Sequence, residues 1–175
     1  MQDAPVHIVE YDASWPEQFA YERAMLADPL APWLAGPIEH VGSTAVVGLP
    51  AKPVIDIMAA VRDLDDSRAA LPVLAAYGYL YAPYHPDVMH WFCKPSPSFR
   101  THHLHLVPLG SALWNERLLF RDYLRAHANL AGEYAALKRQ LAKRYALDRE
   151  AYTEAKGPFV EHVLSLARRH AAPAG

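Results

Sequence analysis

The chain has 175 residues, 52% of them apolar and 21% charged, with one cysteine and a formal net charge of −2. This composition fits a single domain with a sizeable core; it excludes a disordered, collagen-like or disulfide-scaffold chain, and the near-neutral balance argues against a nucleic-acid-coating protein. The charge is uneven, with 6 Lys+Arg against 12 Asp+Glu in residues 1–110 and 11 against 7 in residues 111–175, a frame for a metal-bound polyphosphate and equally the pattern of ordinary solvated helix faces.

Cys93 stands alone, without a CxxC pattern, which points to a reducing compartment. No apolar run approaches the ~18 residues of a membrane span. The opening Met1-Gln2-Asp3-Ala4-Pro5 lacks the basic and apolar regions of a signal peptide. A cytoplasmic, membrane-free protein is the expectation. No repeat or long linker divides the chain, so residues 1–175 are expected to form one α+β domain, with a mixed sheet of about five or six strands over 6–107 and a helical part over 111–170.

Val6–Tyr11 reads as a first strand. Ser14 is placed to cap a helix, with Glu17 completing a capping box and Pro16 in the first turn; Phe19, Leu26, Leu30 and Trp33 carry helical spacing to about residue 34. Ile38–Ser43 is a strand candidate, and Pro53–Val61 is a nearly continuous apolar run of the kind a central strand shows. A helix from about Asp66 to Tyr77 is closed by Gly78, with Pro72 interrupting it. Tyr79–Pro83, His90–Lys94 and Thr101–Val107 read as three further strands. After Gly110 the period becomes 3.6: Leu130, Tyr134, Leu137 and Leu141 mark one helix face, and Tyr152, Ala155, Phe159, Val163 and Leu166 another, with Gly157-Pro158 as a kink or break.

The chemistry concentrates in residues 39–57. A strand ends in Gly42-Ser43, a small-residue loop follows, and Asp56 then sits alone inside an apolar strand. A carboxylate in such a run is costly to bury unless a cation or strong donors meet it. Gly42 lets backbone approach a ligand closely, and Ser43 offers a hydroxyl and an N–H to a phosphate oxygen.

This stretch, with Val9-Glu10-Tyr11-Asp12, Trp15-Pro16, Arg100–Val107, Phe120–Arg125 and Lys156, resembles the GrpB family from about residue 6 to 167. That family is similar to the nucleotidyltransferase superfamily and also occurs as the domain following dephospho-CoA kinase in bacterial fusions. The resemblance implies a nucleotidyltransferase-like fold, a Gly-Ser loop that holds a triphosphate, and a strand bearing Asp-x-Asp. Gly42-Ser43, with Thr44 beside it, fits the loop, and Asp56 the first acid; Met58 stands where the second acid would be.

Alternation on Thr101–Val107 offers a substitute for that missing acid. Leu104 and Leu106 claim one face for the core, so His103 and His105 project together from the other. If this strand lies beside that of Asp56, the acid and two imidazoles can hold one divalent ion; magnesium, manganese and zinc are the candidates, imidazoles favouring manganese or zinc. Hydrogen-bonded structural histidines are the plainer alternative. Lys52, Arg100, Arg121, Arg125 and Lys156 are candidate contacts to an anion, each with surface ion pairing as the alternative. Cys93, between Phe92 and Lys94 and near Trp91, reads as a buried small hydrophobe.

Three functions fit: a nucleotidyltransferase-like enzyme acting on a nucleotide or another phosphate-bearing small molecule at a metal; a domain that binds a nucleotide or CoA precursor without turnover, which Met58 favours; and a single-metal His/Asp hydrolase, which the histidines favour. A small molecule rather than nucleic acid is the expected partner. Nothing in the sequence sets the oligomeric state.

Overall fold

The computed structural model describes residues 5–171, so the Met1–Ala4 opening lies outside the described residues. Along the chain run α1 (Trp15–Leu30), β1 (Leu34–Val41), β2 (Ile55–Val61), α2 (Leu64–Ser67), α3 (Ala70–Ala76), β3 (Leu80–Ala82), β4 (His90–Pro95), β5 (Arg100–Pro108), α4 (Ala112–Ala126), α5 (Ala128–Arg144), α6 (Arg149–Glu154) and α7 (Gly157–Ala171). The strands form one sheet in the order β1-β2-β5-β4-β3, with β2 and β5 parallel and every other pair antiparallel. This is the expected α+β architecture, with five strands among the described residues.

The apolar run of β2 places it in the middle of the sheet, where both faces must be covered. On one face Ile55, Ile57, Ala59 and Val61 pack with Leu104, Leu106 and Phe92 under Trp15, Leu26 and Leu30 of α1. On the other, Met58 and Ala60 pack with Val41, Trp91, Cys93, Val107 and Trp114. A third cluster joins α4, α5 and α7 to Val46 and Leu49 of the loop between β1 and β2. The helical third is thereby seated on the loop that follows Gly42.

Three readings of the sequence need correction. Val6–Tyr11 is not a strand: Val9 makes one bridge to Ala51, and Val6 instead buries its side chain among Leu141, Ala142 and Tyr152. The helix expected over 66–77 is two helices, because Pro72 sits in the first turn of a new helix rather than inside a continuous one. Ser14 does not cap α1 through its side chain; Asp12 Oδ1 accepts the Ser14 N–H at 2.8 Å, and the Ser14 hydroxyl takes Gln18 Nε2 at 2.9 Å. Gly157-Pro158 begins α7 after the end of α6, so it is a break rather than a kink. Among the described residues no helix is long and apolar enough to cross a membrane.

Candidate functional site

Parallel pairing of β2 with β5 sets Asp56 beside His103 and Met58 beside His105, all on one face of the sheet. His103 Nδ1 donates to Asp56 Oδ1 at 2.9 Å, and His105 Nε2 lies 3.7 Å from the same oxygen. One donor atom from each residue falls within 4.8 Å of the others. Burial acts to raise the Asp56 pKa, but the hydrogen bond from His103 and the nearby His105 imidazole overcome it and hold the carboxyl well below its usual range. Burial pushes the His105 imidazole down to about 3, with Arg117 adding to the shift and Asp56 opposing it. The acid is thus ionised and His105 neutral at pH 7, the protonation states of metal ligands.

Whether the three fit an ion is tested by what they leave unsatisfied. Three buried side-chain nitrogens lack a hydrogen-bond partner among the described residues, and two are His103 Nε2 and His105 Nε2; the third, His90 Nδ1, belongs to a histidine held by the Leu64 carbonyl. Native proteins rarely leave such atoms unmatched without a water, ion or ligand to meet them. The donor set of one carboxylate and two imidazoles suits zinc or manganese better than magnesium. Met58, fully buried in the apolar layer beneath, supplies no second acid, so the donor set is enough for one ion and not for two.

The Gly-Ser turn is built around the same carboxylate. Gly42 has φ +72°, and a Cβ there would collide with Asp56 Oδ2. Only glycine meets both demands. Thr44 faces inward: its hydroxyl donates to the Val54 carbonyl at 3.1 Å and meets His40 Nε2 at 3.0 Å, tying the two ends of the loop together. Tyr134 lies beside Ser43, which acts to lower its phenol pKa against the larger effect of burial, which raises it.

A cavity of about 910 Å³ opens over this cluster, lined by Gly42, Ser43, Thr44, Lys52, Asp56, Arg100, His103, His105 and Lys156 among others. These are nine of the eleven residues singled out from the sequence. Lys52 and Lys156 flank the Tyr152 ring, 5.1 and 4.6 Å from its centroid. Lys138 is fully buried, donates to the Pro50 carbonyl and packs on Tyr134. Burial and mutual repulsion depress the lysines: Lys138 to about 7, with Lys156, Arg139 and Lys52 contributing, and Lys156 to about 8, with Lys52 and Arg117 contributing against Asp56. Lysines crowded at one end of a cavity make the potential there positive.

Arg121 and Arg125 are absent from the lining. Arg121 Nη1 donates to Glu39 Oε2 at 2.7 Å and to the His40 carbonyl at 2.9 Å, and its Nε donates to Asp122 at 2.7 Å. Arg125 Nε donates to the Ala45 carbonyl at 3.0 Å. Both guanidiniums clamp α4 to the turn from behind, so they position the loop rather than face a ligand. Sequence reasoning missed Arg117, Lys138, Tyr134 and Tyr152. Arg117 lines the cavity and acts electrostatically on Asp56, His105 and Lys156; as one more cation in a helical third rich in them, it carries no separate signal.

Fold and site together define an α+β domain with a carboxylate–imidazole cluster on the floor of a basic cavity. Residues 5–166 match the model of the GrpB protein family, and the chain belongs to that family. It is 42% identical over 170 residues to the UPF0157 protein PA4798 of Pseudomonas aeruginosa, covering 94% of this chain and 69% of that one. The crystal structure of GrpB from Enterococcus faecalis superposes with a TM-score of 0.84 at 30% identity, covering 94% of this chain and 98% of that one. A dephospho-CoA kinase of Mycolicibacterium paratuberculosis is 29% identical over 187 residues; the match covers 89% of this chain and spans 44% of that protein.

Proposed function

We propose that the chain is a nucleotidyltransferase-like protein that binds a nucleotide or another phosphate-bearing small molecule at one divalent ion. The observation that carries this reading is the convergence of Asp56 with two imidazoles whose Nε2 atoms lack a partner, at the floor of a cavity walled by lysines. Asp56, His103 and His105 hold the ion, which when bound supplies Lewis-acid polarisation of a phosphoryl oxygen. Ser43 and the backbone of its turn meet the phosphate, and Lys52, Lys138 and Lys156 neutralise it. Arg117, acting on Asp56 and His105 from α4, stabilises negative charge on the phosphoryl oxygens as the transfer proceeds.

Met58 favours a second reading, in which the same ligand is bound without turnover. The partial likeness to dephospho-CoA kinase makes a CoA precursor the first alternative ligand to set against ATP. Calorimetric titration of zinc or manganese, followed by ATP or dephospho-CoA, tests binding; release of pyrophosphate or phosphate separates turnover from binding. The proposal requires one ion per chain and a phosphate ligand whose affinity rises when the ion is present. Equal ATP affinity with and without the ion, or no bound ion, would refute it.

A further inference from the structure

An ion and a phosphate group fill only a small part of a cavity of about 910 Å³, so most of the volume belongs to the rest of the ligand. The lining residues of the helical third show where that part lies. On α7 they are Gly157, Val160, Glu161, Leu164 and Arg168, spaced i, i+3, i+4, i+7 and i+11, which is one face of the helix. On α4 they are Leu113, Glu116, Arg117 and Phe120, spaced i, i+3, i+4 and i+7. The α7 stripe begins one residue after Lys156 and, at 1.5 Å per residue, runs about 16 Å to Arg168.

Where this wall is uncharged it is mostly aliphatic. Leu164 is buried, and Val160, Leu113 and Phe120 are half-buried at the cavity surface. At Gly157 an added Cβ would meet open space, so α7 starts with bare backbone beside the lysine. The charged members of the two faces are engaged elsewhere or lie at the rim: Arg168 Nη2 donates to Glu116 Oε1 at 2.6 Å, Arg117 acts on the ion cluster, and Glu161 is exposed. The strip offers little to a nucleobase. Among the described residues no Asn or Gln lines the cavity, Phe120 and Tyr134 meet edge to face at 85°, and Trp91 on the sheet side is only 8% exposed. Neither a stacking plate nor a side-chain amide to read a ring edge is present there.

We propose that the strip along α7, walled by Leu113 and Phe120 of α4, is a subsite for a flexible aliphatic chain, and that the ligand is a phosphate ester of such a chain rather than of a nucleoside. The inference rests on the preceding reading and narrows its ligand class. With the phosphate held at the ion and the lysines, the ester oxygen leaves past Gly157 and the chain continues over Val160 and Leu164. The Glu116–Arg168 pair closes the far end of the strip. Selectivity then comes from apolar burial along α7, where each methylene taken out of water raises affinity up to about fourfold.

The test titrates the full chain, loaded with zinc, with methyl, butyl, hexyl and octyl phosphate and with adenosine monophosphate, by calorimetry. Affinity should rise from methyl to octyl phosphate by about two- to fourfold per methylene, and adenosine monophosphate should bind more weakly than hexyl phosphate. Val160→Trp fills the strip, so the rise with chain length should vanish while methyl phosphate and tripolyphosphate bind as in the wild type. Val160→Thr, which keeps the shape and adds a hydroxyl, should weaken octyl phosphate several-fold and leave methyl phosphate unchanged; it decides the matter if the Trp variant does not fold. Equal affinity for methyl and octyl phosphate in the wild type would overturn the proposal. So would an undiminished rise in Val160→Trp, which places the chain elsewhere, or tighter binding of adenosine monophosphate than of hexyl phosphate. If neither methyl phosphate nor tripolyphosphate binds, the phosphate reading fails by itself. The strip is then read from 1-octanol, whose saturation-transfer signal must appear in the wild type and disappear in Val160→Trp for the subsite to stand.

Discussion

Two acids lie against the sheet, one on each face, Glu22 buried and Asp56 half-buried, and they are satisfied differently. Glu22 of α1 accepts Tyr79 Oη at 2.8 Å and Lys94 Nζ at 2.7 Å, with His102 Nε2 4.0 Å away. Burial acts to raise its pKa, but Lys94 and Tyr79 lower it overall. Every strong partner of Glu22 finds its match within the protein. Asp56 is also held ionised, yet the imidazoles that hold it keep two buried nitrogens without partners. The Glu22 network closes on itself and serves the fold; the Asp56 network is left open toward a cavity. Satisfaction, more than burial or charge, separates a structural acid from one that awaits a ligand.

The largest effect should come from breaking the closed network. Glu22→Ala leaves Lys94 without its carboxylate and should lower the free energy of unfolding by about 3 kcal/mol, at the low end for a broken buried pair because Lys94 is partly exposed. Asp56→Asn keeps an oxygen to accept from His103 and should cost less stability than Glu22→Ala. Urea unfolding of both variants checks the contrast; equal losses would erase it.

Acid should expose the next difference. His40 is buried against Phe19, and burial pushes its pKa down to about 4, with Arg125 and Arg121 adding and Asp56 opposing. A depressed histidine binds its proton in the unfolded chain first. Stability should therefore fall as pH drops from about 6.5 to about 4, by up to about 3 kcal/mol from this group. His40→Gln should flatten that part of the pH–stability profile, measured by thermal or urea unfolding across the interval.

Gly42→Ala combines a strained φ with a Cβ driven into Asp56. It should cost about 1–3 kcal/mol and abolish zinc-induced stabilisation in a thermal-shift assay. The smallest effect on the fold is expected from Lys156→Ala, which relieves lysine repulsion and leaves stability unchanged. The same variant should weaken tripolyphosphate binding about tenfold. Arg125→Ala should do the reverse, loosening the turn at Ala45 with little loss of tripolyphosphate affinity once the chain is folded. Calorimetry on the two variants separates a ligand contact from a loop clamp.

What the sequence shows of this site follows from strand periodicity. A lone acid in the apolar run of β2 and the matching parity of His103 and His105 are local features, and parallel pairing turns them into a cluster. Gly42 was legible for the same reason, as a glycine at the end of a strand. Helix-borne residues are harder to read. Arg121 looks available on its helix face, but its carboxylate partner Glu39 comes from 82 residues earlier in the chain. Lys138 looks like a surface lysine within a 3.6-residue pattern, yet α5 turns it onto the Pro50 carbonyl. The rotation of each helix about its axis is fixed by tertiary packing, so which of eleven cations in residues 111–175 face the cavity is not a property of spacing. Val6–Tyr11 fails as a strand on the same ground: Val6 is buried among Leu141, Ala142 and Tyr152 of the helical third, and Val9 makes a single bridge to Ala51.

The central claim is that Asp56, His103 and His105 hold one divalent ion. X-ray absorption at the zinc edge, on protein loaded with one equivalent of zinc and then dialysed, tests it most directly. The account predicts retained zinc with two imidazole nitrogens and a carboxylate oxygen at ~2.0–2.2 Å, and loss of one imidazole shell in His103→Ala and in His105→Ala. Zinc that washes out of the wild-type protein, or a bound ion whose spectrum contains no imidazole, would contradict it.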